Sequence, residues 1–160
     1  MAQGSRALHY KSKICTQLPH TTAPHLVASI PTRTKQAICK LRMSSHRLQC
    51  EVGRWATPKI PLEQRVCEIC EDYAIEDEMH FLIKCPALKE TRAVWLGIEE
   101  HNFQNVEDLF MQLQPKVIGK LILELEEKRG QILLDQKLHR NQKKGCTVRA
   151  GNHYHCKSSG

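Results

Sequence analysis

The sequence predicts a mainly α protein: a small helical domain stapled by a cysteine–histidine knuckle, with disordered N- and C-terminal tails. Three observations predict it. Apolar residues recur at steps of three and four on both sides of a central cysteine-rich stretch, which is the signature of helical faces. Between Cys67 and Cys85 the chain gathers three cysteines and a histidine at metal-ligand spacing. Aromatic residues make up only 5% of the 160 residues, so an aliphatic core of modest size gains disproportionately from a staple.

Composition narrows the function classes. No apolar run approaches the roughly 18 residues that span a bilayer, which excludes an integral membrane protein. Met1 to Lys13 contains no apolar segment of the secretory type, although its basic, acid-poor character is shared with transit peptides. Eight cysteines without a secretory segment point to a reducing, intracellular setting, nuclear or cytoplasmic. There cysteines bind metal, react or pack. The net charge of +7 is unevenly spread. Up to Val66 the chain has eleven Lys/Arg and two acids; Cys67 to Phe110 has three basic residues and eleven acids; Met111 to Gly160 has ten and four. Basic flanks can meet nucleic-acid phosphates, or dock on the acidic centre.

In chain order, residues 1–32 read as an irregular leader punctuated by Pro19, Pro24 and Pro31. The helical domain is expected over residues 33–138. It opens with Ile38, Leu41, Ser45, Leu48, Val52 and Trp55, spaced as one face of a single helix. Thr32 or Thr34 would cap that helix and Gly53 would end it. Lys35, Lys40, Arg42, Arg47 and Arg54 lie mostly off its apolar face and are the candidate nucleic-acid contacts. Residues 56–66 read as an extended, proline-containing connection. Pro86 sits in the first turn of a helix to about Leu96, with Leu88, Val94 and Trp95 as its apolar residues. A short helix over Val106–Leu113 precedes a longer one opened by Pro115. The longer helix carries the stripe Val117, Ile118, Leu121, Ile122, Leu125, Ile132 and Leu133, and an i,i+4 pair, Glu124 and Lys128. Residues 139–160 read as a basic disordered tail.

The chemistry lies in the stretch 67–85, which has the form C-x2-C-x9-H-x4-C. Zinc prefers four soft or borderline donors in a tetrahedron. The Cys67–Cys70 turn can offer two thiolates to one metal, and the spacer is long enough for His80 and Cys85 to close the shell. Three thiolates and an imidazole leave no open position for a catalytic water, so one structural Zn2+ is expected. Glu76, Asp77 and Glu78 are expected to form a solvated acidic loop, and Phe81, Leu82 and Ile83 to cover the metal on one side. The competing readings are that the cysteines are small buried hydrophobes, or that CxxC is a redox pair, which would sit near a βαβ pattern missing here. A zinc deaminase is set aside because its H-x-E precedes P-C-x-x-C, the reverse of the order here.

Cys15, Cys39 and Cys50 are isolated, and packing is the reading for Cys39 and Cys50. Cys146, His153, His155 and Cys156 offer a looser second metal set, while His20, His25 and His101 show no partner. A phosphate-binding glycine loop, a nucleophile elbow and an HExxH helix are all missing, so no enzyme activity and no small-molecule substrate are expected.

The stretch from about Leu41 to Arg92 resembles the C-terminal region of non-LTR retrotransposon polyproteins of animals, downstream of their reverse-transcriptase domain. The resemblance rests on L-R-M-S-S-H-R-L-Q-C-E-V-G-R-W, P-K-I-P-L-E-Q-R-V-C-E-I-C and I-E-D-E-M-H-F-L-I-K-C-P. Matching positions are Gly53, Arg54, Trp55, Arg65, Cys67, Cys70, Glu76, Asp77, Glu78, His80, Phe81, Cys85 and Pro86. It covers about a third of the chain and is weaker in the helix after Pro115. The polymerase palm with its paired aspartates and the endonuclease domain of those polyproteins are lacking, so reverse transcription does not carry over. What the resemblance implies is a nucleic-acid-associated knuckle that engages RNA or DNA. Tyr73, Phe81 and Trp55 are the nearby aromatics available for base stacking. The alternatives are a zinc-stapled protein-interaction module and an accessory fragment that works joined to a reverse transcriptase.

Overall fold

The computed structural model describes residues 23–97 and 103–146. Helices α1 (Pro24–Val27), α2 (Thr32–Arg42) and α3 (Gln49–Trp55) precede the knuckle, and α4 (Lys89–Leu96), α5 (Val106–Gln112) and α6 (Pro115–Cys146) follow it. The only β pairing among the described residues is an isolated antiparallel bridge between Val66 and Ile75. No helix there is long and apolar enough to cross a membrane.

Helix α6 is the spine. Ile118, Leu121, Ile122 and Leu125 recur every three to four residues and are almost fully buried, as the periodicity predicts. Helix α2 lays Ala37, Ile38 and Leu41 against them and makes the most extensive helix–helix contact in the fold. The crossing is close because Gly119 has no side chain. A Cβ there would collide with Cγ2 of Thr34 and stand 3.1 Å from its carbonyl oxygen.

The single helix expected over residues 32–55 is two helices. Helix α2 ends at Arg42, Ser44 takes a left-handed conformation (φ 50°), and the chain is extended again at Leu48 before α3 begins. The short polar side chains of Ser44 and Ser45 favour such turns over a helix interior. Re-aiming α3 changes its inward face: Cys50, Glu51 and Gly53 are buried, whereas Val52 and Trp55 are exposed. Gly53 therefore lies inside α3 and does not end it. Residues 32 and 34 do not cap α2; its cap residue is Pro31, and Thr34 is buried at the crossing with Gly119.

Other differences are local. Helix α1 falls within the expected irregular leader, and α6 runs past residue 138 to Cys146 instead of giving way to a tail. The connection over residues 56–66 contains a 3-10 turn, Leu62–Gln64. Leu88, at the end of the preceding 3-10 turn, and Arg92 and Leu96 of α4 are buried at steps of four, and Val94 is exposed. The guanidinium of Arg92 donates to the carbonyl of Cys85 (2.7 Å). Helix α5 is capped by Asn105, whose side chain accepts the Asp108 N–H. The indole N–H of Trp95 donates to Glu124. Residues 1–22 of the expected leader, the remainder of the expected tail beyond Cys146, and Cys15, His20, His101, His153, His155 and Cys156 lie outside the described residues.

Candidate metal centre

Two short backbone devices bring the four candidate ligands together. The first is a hairpin-like knuckle. Val66 pairs with Ile75, the Cys67 N–H donates to Ala74 (2.8 Å), and the Glu76 N–H donates to Arg65 (2.9 Å). Cys67 and Cys70 lie on the turn so closed, which passes through a left-handed Tyr73 (φ 50°). The second is a π turn over His80–Lys84 followed by a 3-10 turn, Pro86–Leu88. The side chain of Asp77 accepts the His80 N–H (2.7 Å), and the Cys85 N–H donates to the His80 carbonyl (2.7 Å). The wider π turn places His80 and Cys85 on one side, and Phe81, Leu82 and Ile83 are buried in the core.

Cys67, Cys70, His80 and Cys85 consequently converge, with one donor atom from each lying within 4.8 Å of every other. The sulfurs of Cys67 and Cys85 are 3.9 Å apart, and Sγ of Cys70 is 3.4 Å from Nε2 of His80. A tetrahedron built on ordinary zinc bond lengths has S···S edges of about 3.8 Å and S···N edges of about 3.6 Å. These two edges match such a tetrahedron to within a few tenths of an ångström, and the remaining donor pairs lie within 4.8 Å, close enough for a single metal ion to draw them together. None of the three cysteines is in a disulfide. Cys67, His80 and Cys85 are buried, and Cys70 is half-buried at the rim.

Protons and a cation compete for this cluster. The hydrogen bond with Cys85, together with burial, pushes the Cys67 thiol up to about 12. Burial likewise raises Cys70, while the hydrogen bond from Cys67 holds Cys85 below the usual thiol range. Within the cluster the thiolate form is thus favoured at Cys85 and disfavoured at Cys67 and Cys70. A divalent ion overrides that preference, because its charge stabilises every coordinating thiolate.

Behind the ligands stands Glu76, which is 1% exposed and not part of a solvated loop. Arg129 of α6 forks onto it, Nε to Oε1 at 2.7 Å and the terminal nitrogen to Oε2 at 2.8 Å. Oε2 also accepts the Gln49 N–H at the start of α3 (2.9 Å), and Oε1 lies 3.7 Å from the Cys67 sulfur. The Glu76 carbonyl accepts the Cys50 N–H. One carboxylate thus ties α3, α6 and the knuckle together. Burial opposes the charge on Arg129, but the Glu76 carboxylate outweighs it and raises its pKa. The rest of the acidic triplet is also engaged: Asp77 starts the π turn, and Glu78 accepts from His46 (2.7 Å) and Ser44 (3.3 Å). Burial disfavours the Glu78 charge, yet the bonds from His46 hold its carboxyl below the ordinary range.

Arg65 anchors the other side of the knuckle. Its guanidinium donates to the carbonyls of Ile60 and Cys50, and its stem lies over Gly53, where a Cβ would come within 2.7 Å of Cγ. No sequence signal announces the Glu76–Arg129 or Gly53–Arg65 pairs, because their members stand far apart in the chain.

The five candidate nucleic-acid contacts divide. Lys35 donates to the Leu26 carbonyl, and Arg42 donates to Nδ1 of His25 and lies 5.2 Å from the ring centre of Phe110. Both serve internal packing. Lys40 and Arg47 are exposed, and Arg54 is half-buried with its guanidinium 5.7 Å from the Trp55 ring centre. Since arginine only donates, Nδ1 of His25 must accept and Nε2 carries the proton toward Sγ of Cys39 (3.5 Å). Burial, then Arg42 and Lys35, lower His25 to about 4. The sequence shows no partner for His25, because α1 lies in a stretch that reads as irregular. Comparisons of the chain with models of protein families, with curated proteins and with solved structures find no match.

Proposed function

We propose that this chain is a non-catalytic, retrotransposon-derived module. In it one zinc ion, held by Cys67, Cys70, His80 and Cys85, staples a helical domain that binds RNA or DNA. The convergence of four donor atoms within 4.8 Å of one another supports the reading most directly. With all four positions taken by protein, zinc supplies folding free energy rather than an activated water. His80, Cys85 and the turn they sit on join the knuckle to the core through Phe81 and Leu82, so ordering the ligands orders the helices.

The nucleic-acid part draws on the resemblance of residues 41–92 and on the cations left facing outward, Lys40, Arg47 and Arg54. Each phosphate neutralised by such a side chain releases counterions, so binding must weaken as salt rises. The competing reading, a protein-interaction module, draws on the exposed Val52 and Trp55. Retention on immobilised RNA across a salt series separates the two. The proposal expects steep salt dependence, with a shallower slope for the Lys40→Gln Arg47→Gln Arg54→Gln variant. Absence of binding at low salt, with the metal-loaded fold intact, contradicts it.

A further inference from the structure

We propose that the recess beside Trp55 receives an unpaired nucleobase, so that the preferred ligand is single-stranded; this rests on the nucleic-acid reading above. The break between α2 and α3 opens a cavity of about 400 Å³ lined by Ser44, Ser45, His46, Glu51, Val52 and Trp55. That volume accommodates a nucleotide. The indole of Trp55 is 73% exposed on an otherwise aromatic-poor molecule. An exposed indole offers a stacking face that every base can use, but only a base free of its partner strand can reach it.

The surroundings match a nucleotide in charge and in hydrogen-bonding type. Arg54 lies over the Trp55 ring, Arg47 is exposed on the turn that forms the cavity wall, and Lys59 is exposed next to Ile60, whose N–H bonds the Gly53 carbonyl of α3. Arg54 thus touches the indole itself, and the other two cations are exposed on the segments that precede and follow α3. Ser45 contributes an exposed hydroxyl to the cavity wall. The other two aromatics named from the sequence are less suited. Phe81 is buried in the core, and Tyr73, though exposed, does not line the cavity.

The test is fluorescence anisotropy of a labelled twelve-nucleotide oligouridylate, and of a duplex of the same length, with the zinc-loaded full chain. The parent is expected to favour the single strand. Trp55→Ala should weaken that binding at least tenfold without changing its salt slope, because stacking contributes no counterion release. Trp55→Phe should recover most of the loss. Because Trp55 is exposed, neither change should disturb the fold, which circular dichroism checks. If Trp55→Ala binds like the parent while the Lys40→Gln Arg47→Gln Arg54→Gln variant loses affinity, the stacking site is wrong and the nucleic-acid reading stands. Equal binding of single strand and duplex also overturns the inference. If the parent binds neither ligand, both proposals fall and a protein partner becomes the reading.

Discussion

Removing Arg129 should destabilise this protein more than any other single charge deletion on α6. Glu76 is 1% exposed, and the fork from Arg129 supplies two of its hydrogen bonds, at 2.7 and 2.8 Å. Arg129→Met leaves a buried carboxylate with the Gln49 N–H and the long, weak contact to the Cys67 sulfur (3.7 Å) as its remaining side-chain partners. Breaking a buried pair from one side costs about 3–5 kcal/mol, and because the Arg129 side chain keeps 12% exposure the lower end, about 3 kcal/mol, applies. Glu76→Gln keeps the shape but turns an amide toward the guanidinium, and should cost about the same. The double variant has no stranded charge, so its loss should fall short of the sum by about 2–3 kcal/mol. Urea unfolding of the metal-loaded protein reads this directly. With a slope of about 1.5 kcal/mol per molar, each single variant moves the midpoint by about 2 M. Additive losses, or a loss under about 1 kcal/mol for Arg129→Met, would refute the role given to this pair.

Two glycines of the same helix should respond in opposite directions. Gly119→Ala drives a methyl into Thr34 and should destabilise by about 1–3 kcal/mol, whereas Gly130→Ala meets open space and should stabilise by about 0.5–1 kcal/mol; urea midpoints decide both. His25, with a folded pKa of about 4 below its ordinary 6.5, contributes stability that is complete above pH 6.5 and drains away as pH falls toward 4, by about 3 kcal/mol at most. Its imidazole NMR signal should titrate near 4, and a midpoint near 6.5 would contradict the buried, Arg42-bonded placement.

Much of this organisation is legible in the residue order, and what escapes has identifiable causes. The stripe from Ile118 to Leu125 shows because helical period and burial coincide there. The ligands show because metal chemistry constrains both residue type and spacing. The apparent continuous face from Ile38 to Trp55 misleads, since its period survives by chance across the turn at Ser44 while α3 turns its small and polar residues inward. The triplet Glu76–Asp77–Glu78 reads as solvated because its partners, Arg129, the π-turn backbone and His46, lie on separate elements. Burial of a charge depends on a distant partner, and no local pattern carries that information. The same holds for Arg92, whose inward turn reflects the Cys85 carbonyl at the end of the π turn.

A metal ion at Cys67, Cys70, His80 and Cys85 is proposed to hold this fold together. Metal content of protein purified under reducing conditions, measured beside a Cys70→Ser His80→Ala variant and with helicity followed by circular dichroism, tests it most directly. One zinc per parent chain, no bound zinc in the variant, and loss of helical signal when either the ligands or the metal are removed are the expected results. A metal-free parent that keeps its full helical signal and cooperative unfolding would contradict it.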